Sequence, residues 1–285
     1  MPEVAVNIML FVLGAAIGSF LNVLAMRFSE ESGFKLAAKG RSRCPHCSKT
    51  LTWSELIPLL SFVAQGRRCR ECKKPISWVY PGVELLAGLI AVFVPLHLGY
   101  GIPALMWVLV LWTLLLISAI DLRLGLIPNG LVVLVGLFGG TIFTYKYLMG
   151  YFEVISASKV VSYIGHYYLT FRAGDSVLIN HLFAIGFGLA LFGGIYLLSK
   201  GKAMGLGDVK LAAALGTLLV LPDMVLAMAL SFIVGSGVGL GMMKFGKLKF
   251  KSSVPFGPFM AIGVTLVFFF GYDIVDAYFT LFGLI

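Results

Sequence analysis

Asp208 stands in the run Met204-Gly205-Leu206-Gly207-Asp208-Val209-Lys210-Leu211, a carboxylate between glycines in a stretch otherwise apolar enough for a lipid bilayer. A charge at that depth is costly and usually functional. Asp121 closes the apolar run from Ile102 to Ile120 and supplies a second acid. Two neighbouring carboxylates cannot both ionise cheaply, so one keeps a proton and polarises a carbonyl while the other activates a water. The chemistry this pair offers is hydrolysis with no covalent intermediate. Taken singly, each acid also has a plain structural reading as a helix cap or a solvated interfacial side chain. Gly205 and Gly207 suit an unwound backbone and the close approach of a ligand chain.

The second constellation is Cys44-x2-Cys47 and Cys69-x2-Cys72, with 21 residues between the pairs. Four thiolates suit a closed, tetrahedral, structural zinc site. The alternatives are four reduced thiols, or disulfides if the region faces an oxidising compartment. His46, between the first pair, is expected to be solvated rather than a ligand. A catalytic zinc needs an open coordination position and a general base, and the sequence has no HExxH motif.

These residues need elements to position them, and composition sets the class. Of 285 residues, 59% are hydrophobic and only 12% charged, and the mean hydropathy is +0.98. This is an all-α polytopic membrane protein. Blocks of about 20 apolar residues predict about eight spans, at 4–26, 79–98, 102–121, 125–146, 176–199, 204–222, 224–243 and 254–280. The uncharged run from Val4 to Met26 reads as a retained span rather than a cleaved signal. His97 to Pro103 supplies one turn, and Leu221-Pro222-Asp223 another, with Asp223 expected as an N-cap. Residues 1–26 are then the first transmembrane helix, 27–78 a small four-cysteine zinc-binding domain, and 79–285 the bundle carrying both aspartates. A segment at 147–175 lies outside the membrane.

Nineteen of the 22 Lys and Arg fall in the loops at 27–78, 122–124, 200–210 and 244–251. By the positive-inside rule these face the cytoplasm and both termini lie outside. The net charge of +9 follows from topology, and the basic surface of 27–78 fits anionic lipid headgroups rather than nucleic acid. Between Lys210 and Asp223 lie 12 uncharged residues, about 18 Å of helix against a hydrocarbon core of about 30 Å. The sixth helix must extend back through Asp208, near the cytoplasmic edge. Asp121, 18 residues beyond Pro103, approaches the same edge.

Glu84 lies about one turn inside the second span and has two readings. It is held by Lys210 or Arg27, or it lines a substrate groove and meets a cationic peptide. Lys210 either snorkels to the interface or tunes the charge of the acid pair. The aromatic residues between Lys146 and Ser176, among them Tyr147, Tyr151, Tyr163, His166, Tyr167 and Tyr168, predict an interfacial helix on the outer leaflet. His181 and His97 are expected at the interface.

The order of motifs along the chain resembles the type IV prepilin peptidases. The matching segments are Gly18-Ser19-Phe20-Leu21-Asn22-Val23, Cys44-Pro45-His46-Cys47, Ile57-Pro58-Leu59-Leu60-Ser61, Gly66-Arg67-Arg68-Cys69-Arg70-Glu71-Cys72, Pro75-Ile76-Ser77 and Tyr80-Pro81-Gly82-Val83-Glu84-Leu85-Leu86. They continue with Asp121 and Ile127-Pro128-Asn129, then Met204-Gly205-Leu206-Gly207-Asp208-Val209-Lys210, and Pro255-Phe256-Gly257-Pro258-Phe259. The resemblance implies an intramembrane aspartic protease with Asp121 and Asp208 as the catalytic pair. Its substrates would be type IV prepilins or type II secretion pseudopilins, cut after a Gly that ends a short basic leader. It places the protein in the bacterial cytoplasmic (inner) membrane. It also implies S-adenosylmethionine-dependent N-methylation of the new N-terminal residue, for which Gly18, Asn22 and Glu84 are candidate positions. No strand, Gly-rich turn and acid arrangement of the Rossmann type accompanies that second activity. The alternatives are a peptidase without methyl transfer, an inactive zinc-bearing membrane scaffold, and a proton-coupled transporter, which would place its acids near the midplane in repeat-related broken helices.

Overall fold

The computed structural model describes residues 2–31, 33–37, 40–149, 161–244 and 254–283, which are helical apart from turns and two isolated β-bridges. Lys39, Lys159, Lys247, Lys249 and Lys251, counted among the topogenic charges, fall outside them, as do 150–160 of the expected interfacial segment. The chain forms two compact units, residues 1–123 and 124–285.

In the first unit, α1 (Pro2–Arg27) runs along α2 (Val79–Leu98), and α3 (Ile102–Leu124) follows. The α1–α2 seam is made of small residues that let the backbones approach closely. A Cβ at Gly18 would lie 2.8 Å from both the Ala87 Cβ and the Glu84 Cα. Asn22, on the same helix, donates to the Tyr80 carbonyl at 2.9 Å. The indole of Trp112 on α3 donates to the Ala87 carbonyl at 3.0 Å. The Arg123 guanidinium donates to the carbonyls of Met26 and Phe28, tying the last turn of α3 to the end of α1.

The second unit contains α4 (Asn129–Leu148), α5 (Val177–Ser199), α6 (Leu206–Leu215), α7 (Leu221–Lys244) and α8 (Gly257–Leu281). Among the described residues seven helices are long and apolar enough to cross a membrane, and the span expected at 204–222 is not one of them. Its helix, α6, has 10 residues, about 15 Å at 1.5 Å per residue. It nevertheless returns the chain along α5. Gly193 faces Val209, Gly188 faces Ala212, and Gly216 abuts Ile185, while His181 Nδ1 lies 3.2 Å from the Gly216 carbonyl oxygen. Numbers falling on α5 as they rise on α6 describe an antiparallel pair. The chain therefore reaches the starting end of α5 before α7 begins. A 10-residue helix is marginal alone. Here Leu211, Ala212 and Leu215 are wholly buried, and packing supplies what length does not.

Two further expectations are corrected. Asp223 does not cap α7 from outside, because α7 begins at Leu221. It is wholly buried and accepts hydrogen bonds from the Ser162 hydroxyl at 2.6 Å and the amides of Tyr163 at 3.0 Å and Ile164 at 3.3 Å. The described part of the outer segment is not one interfacial helix either. It folds as a short 3-10 turn, Gly165–Tyr167, and one helical turn, Tyr168–Phe171. Ile164, Tyr167 and Tyr168 are buried against Val220 with Tyr272, Val275 and Phe279 around them. The Tyr167 hydroxyl donates to Asp276 at 3.0 Å and its ring stacks on Phe279. Tyr163, Tyr167 and Tyr168 are buried while Tyr147, His166 and Phe171 stay exposed, and burying three rings removes more apolar surface from water than a helix lying flat would. His181 is also more than an interfacial residue: it packs edge-on to Phe143 and against the end of α6.

Candidate active site

Asp121 lies in the last turn of α3 and is buried, at 4% exposure. Ile117 and Ile120 beside it are wholly buried, so the helix face that carries the acid is a packed one. Arg123, two residues on, anchors this end to α1.

Asp208 opens α6. Gly205 is extended (φ −85°, ψ 157°) and acts as N-cap, and its amide donates to Asp208 Oδ2 at 3.1 Å. The carboxylate thus closes its own helix start, where the dipole favours a negative charge, and it remains partly exposed. Gly205 supplies the expected unwound residue; Gly207 is helical, and its lack of a side chain serves packing. A Cβ at Gly207 would stand 3.0 Å from the Ile127 Cβ. Lys210, two residues after Asp208, donates to Asn129 Oδ1 at 3.1 Å. The segment Ile127-Pro128-Asn129 is therefore the shelf on which the start of α6 rests. Asn129 is a positioning residue that spacing alone does not single out.

Glu84, 8% exposed on α2, receives the Leu59 amide on Oε2 at 2.8 Å and a hydrogen bond from Ser19. The two expected basic partners have other work: Arg27 donates to the carbonyls of Gly40 at 3.2 Å and Arg41 at 2.8 Å, and Lys210 to Asn129. Leu59 is strained, at φ 60° and ψ −50°, and the Leu60 amide turns back to the Pro58 carbonyl at 2.6 Å. This is the disfavoured form of the γ-turn. Such conformations cost about 1–3 kcal/mol and persist only where the surroundings impose them.

The four cysteines converge. Their Sγ atoms lie within 4.8 Å of one another, with Cys44 to Cys72 at 3.9 Å and Cys47 to Cys69 at 4.0 Å, far beyond a disulfide length. A tetrahedron with zinc–sulfur bonds of about 2.3 Å has edges of about 3.8 Å, so the donor set fits a four-thiolate metal site. His46 is exposed and outside it. The two Cys pairs are copies of one knuckle. The Cys44 and Cys69 amides donate to the carbonyls of Lys49 and Lys74. Their carbonyls accept from Ser48 and Lys73, both at positive φ, 58° and 57°. Bridges Arg43 to Thr50 and Arg68 to Pro75 close each turn. The repeat is written in the sequence as Arg-Cys-x-x-Cys-x-Lys, at Arg43 and again at Arg68, a signal that ligand spacing alone does not bring out. Backbone amides of Cys72 and Glu71 hold the Cys69 thiol down to about 7, so a thiolate forms readily near neutral pH.

Two family profiles match in tandem: the Bacterial Peptidase A24 N-terminal domain over residues 12–98 and the Type IV leader peptidase family over residues 108–240. Among curated proteins, a Prepilin leader peptidase/N-methyltransferase of Aeromonas hydrophila is 31% identical over 294 residues, covering 95% of this chain and 93% of the relative. One of Burkholderia pseudomallei (strain K96243) is 32% identical, covering 91% and 84%. One of Bacillus subtilis (strain 168) is 26% identical, covering 94% and 96%. No solved structure matches significantly. Similarity that runs through both units at this level, with each motif in its place, identifies a multi-pass membrane protein that belongs to the type IV leader peptidase family.

Proposed function

We propose that the protein is an aspartic endopeptidase that removes the basic leader of type IV prepilins or type II secretion pseudopilins after Gly. It then N-methylates the exposed residue with S-adenosylmethionine. The observation that carries this reading is the placement of Asp208 at the start of a short helix held on the Ile127–Asn129 shelf, with Asp121 the buried acid at the end of α3. In this assignment one acid is protonated and polarises the scissile carbonyl. The other takes a proton from water as the water attacks, and the leaving amine then receives a proton. No acyl-enzyme forms. The family's relatives carry both activities in their printed name, and nothing in the comparisons favours a transporter.

Cys44, Cys47, Cys69 and Cys72 would hold a structural zinc ion, with no open position for chemistry. A bound sulfonium cofactor would supply an electrophilic methyl group. In this reading the catalytic edge and the four-cysteine domain face the cytoplasm, both termini lie outside, and the basic surface of 27–78 meets anionic lipid. The test is mass spectrometry of a co-expressed prepilin. It reports the cut site and a methyl increment of about 14 Da together, against the proton-transfer criterion that either Asp→Asn change stops the cut. An intact leader beside a properly inserted enzyme and a matched prepilin would overturn the peptidase. A cut, unmethylated product would remove the second activity only.

A further inference from the structure

The stretch that joins the two knuckles, and the tryptophan that follows the second, turn apolar side chains outward. Trp53 is 79% exposed, Leu60 68%, Val63 75% and Trp78 62%. The Leu56 amide returns to the Trp53 carbonyl across a 3-10 turn, where residues three apart eclipse. Leu60 and Val63 share one face of the helical turn Leu60–Ala64. Phe62, between them, is buried and borders a cavity of about 580 Å³ that Glu84 also lines. The strained Leu59 reverses the chain between Ile57 and Leu60, both of them exposed. Residues 51–66 hold a single charge, Glu55, which is buried and takes the Thr52 amide at 2.9 Å. The exposed part of this stretch is therefore uncharged. Trp78 packs on Phe62, with ring centroids 5.1 Å apart, and the Arg67 guanidinium lies 4.5 Å over the indole.

The neighbouring stretch is cationic. Arg67, Arg68, Arg70, Lys73 and Lys74 are exposed, and the one acid among them, Glu71, pairs with Lys49 at 3.3 Å. Trp78 immediately precedes α2, so the apolar surface runs on into a membrane span on which Leu85 and Leu86 are exposed. Clustered apolar side chains left in water mark a surface that meets a partner. At a bilayer interface an indole is solvated at headgroup level, and a guanidinium stacked on it reaches phosphate. We propose that Trp53, Leu60, Val63 and Trp78 form a membrane-insertion surface, which seats the knuckle domain in the interfacial layer of the leaflet where α2 begins. The proposal rests on the reading above that 27–78 meets anionic lipid, and it adds the apolar surface that enters the leaflet. The Leu59 turn is then pinned from two sides, by lipid through Ile57 and Leu60 and by Glu84 through the Leu59 amide.

The test uses the full-length, zinc-loaded protein in nanodiscs of mixed phosphatidylcholine and phosphatidylglycerol. The lipid includes a phospholipid with a photoreactive diazirine near the glycerol end of one acyl chain. After irradiation and digestion, mass spectrometry is expected to find lipid adducts on Trp53, Leu60, Val63 and Trp78 as well as on the spans. Leu60→Asp/Val63→Asp places two carboxylates on exposed positions and should lower the adduct yield within 51–66 at least about tenfold, with zinc content and labelling of α2 unchanged. Wild-type protein labelled on its spans but not within 51–66 would overturn the proposal, whatever the variant does. So would adducts within 51–66 that a matched prepilin displaces, which would make the surface a substrate dock, or cross-links between two copies of the chain through 53–63. Replacing all the phosphatidylglycerol by phosphatidylcholine is expected to reduce labelling within 51–66. Unchanged labelling there would reject the anionic-lipid reading of 27–78 and leave the insertion standing.

Discussion

Glu84 and Asp223 each sit in the first two turns of a long apolar helix, and each accepts backbone hydrogen bonds from a loop distant in sequence. One belongs to the first unit and the other to the second. Their surroundings differ. Asp223 is wholly enclosed and takes one hydroxyl and two amides, so its acceptor capacity serves the loop. Glu84 holds the strained Leu59 amide, takes a second hydrogen bond from Ser19 and borders a cavity. A carboxylate saturated by donors is a structural clamp; one that grips a strained turn beside open space is placed to meet a ligand. Asp208 shows a third arrangement, a partly exposed acid closing its own helix start.

The strongest challenge to this division is to neutralise acids one at a time. Asp121→Asn and Asp208→Asn should each lower leader cleavage by at least about a thousandfold, within what loss of acid–base catalysis produces, with thermal unfolding little changed. Full cleavage by either variant would move it among the structural acids. Next in size is the metal. Elemental analysis should find one zinc per chain, lost in Cys44→Ser/Cys69→Ser, and protease resistance of residues 40–78 should be lost with it, because thiolate ligation is coupled to folding. Protein purified without chelators and free of metal would refute the four-thiolate site.

Asp223→Ala should cost about 3 kcal/mol, since it leaves buried amides and a hydroxyl without an acceptor; urea unfolding in detergent measures it, and residual enzyme should retain its cleavage rate per folded molecule. A lower rate with unchanged stability would give Asp223 a part in the chemistry and erase its contrast with Glu84. The smallest expected effect is at the turn. Leu59→Gly removes the penalty for positive φ and should raise stability by about 1 kcal/mol. If the strain serves methylation, that variant is more stable and slower to methylate. Equal methylation would make the turn merely tolerated.

The residue sequence by itself determined the class and supplied the candidate acids and thiols. Runs of apolar residues set seven of the expected crossings, because a bilayer demands length and hydrophobicity that composition displays directly. Local spacing likewise brought forward Asp121, Asp208 and the four cysteines, and the cluster of sulfurs formed as that spacing predicted. What it left open were pairings between residues far apart. The Leu59 amide meets Glu84 across 25 positions, Ser162 meets Asp223 across 61, and Lys210 meets Asn129 across 81. The return along α5 by a 10-residue helix was equally hidden, since a periodic apolar run does not state where its hydrogen bonding stops. These were decided only by tertiary structure: a buried polar group must find a donor or acceptor wherever the packed chain places one, and apolar surfaces fit by shape, which no local pattern of residue types specifies.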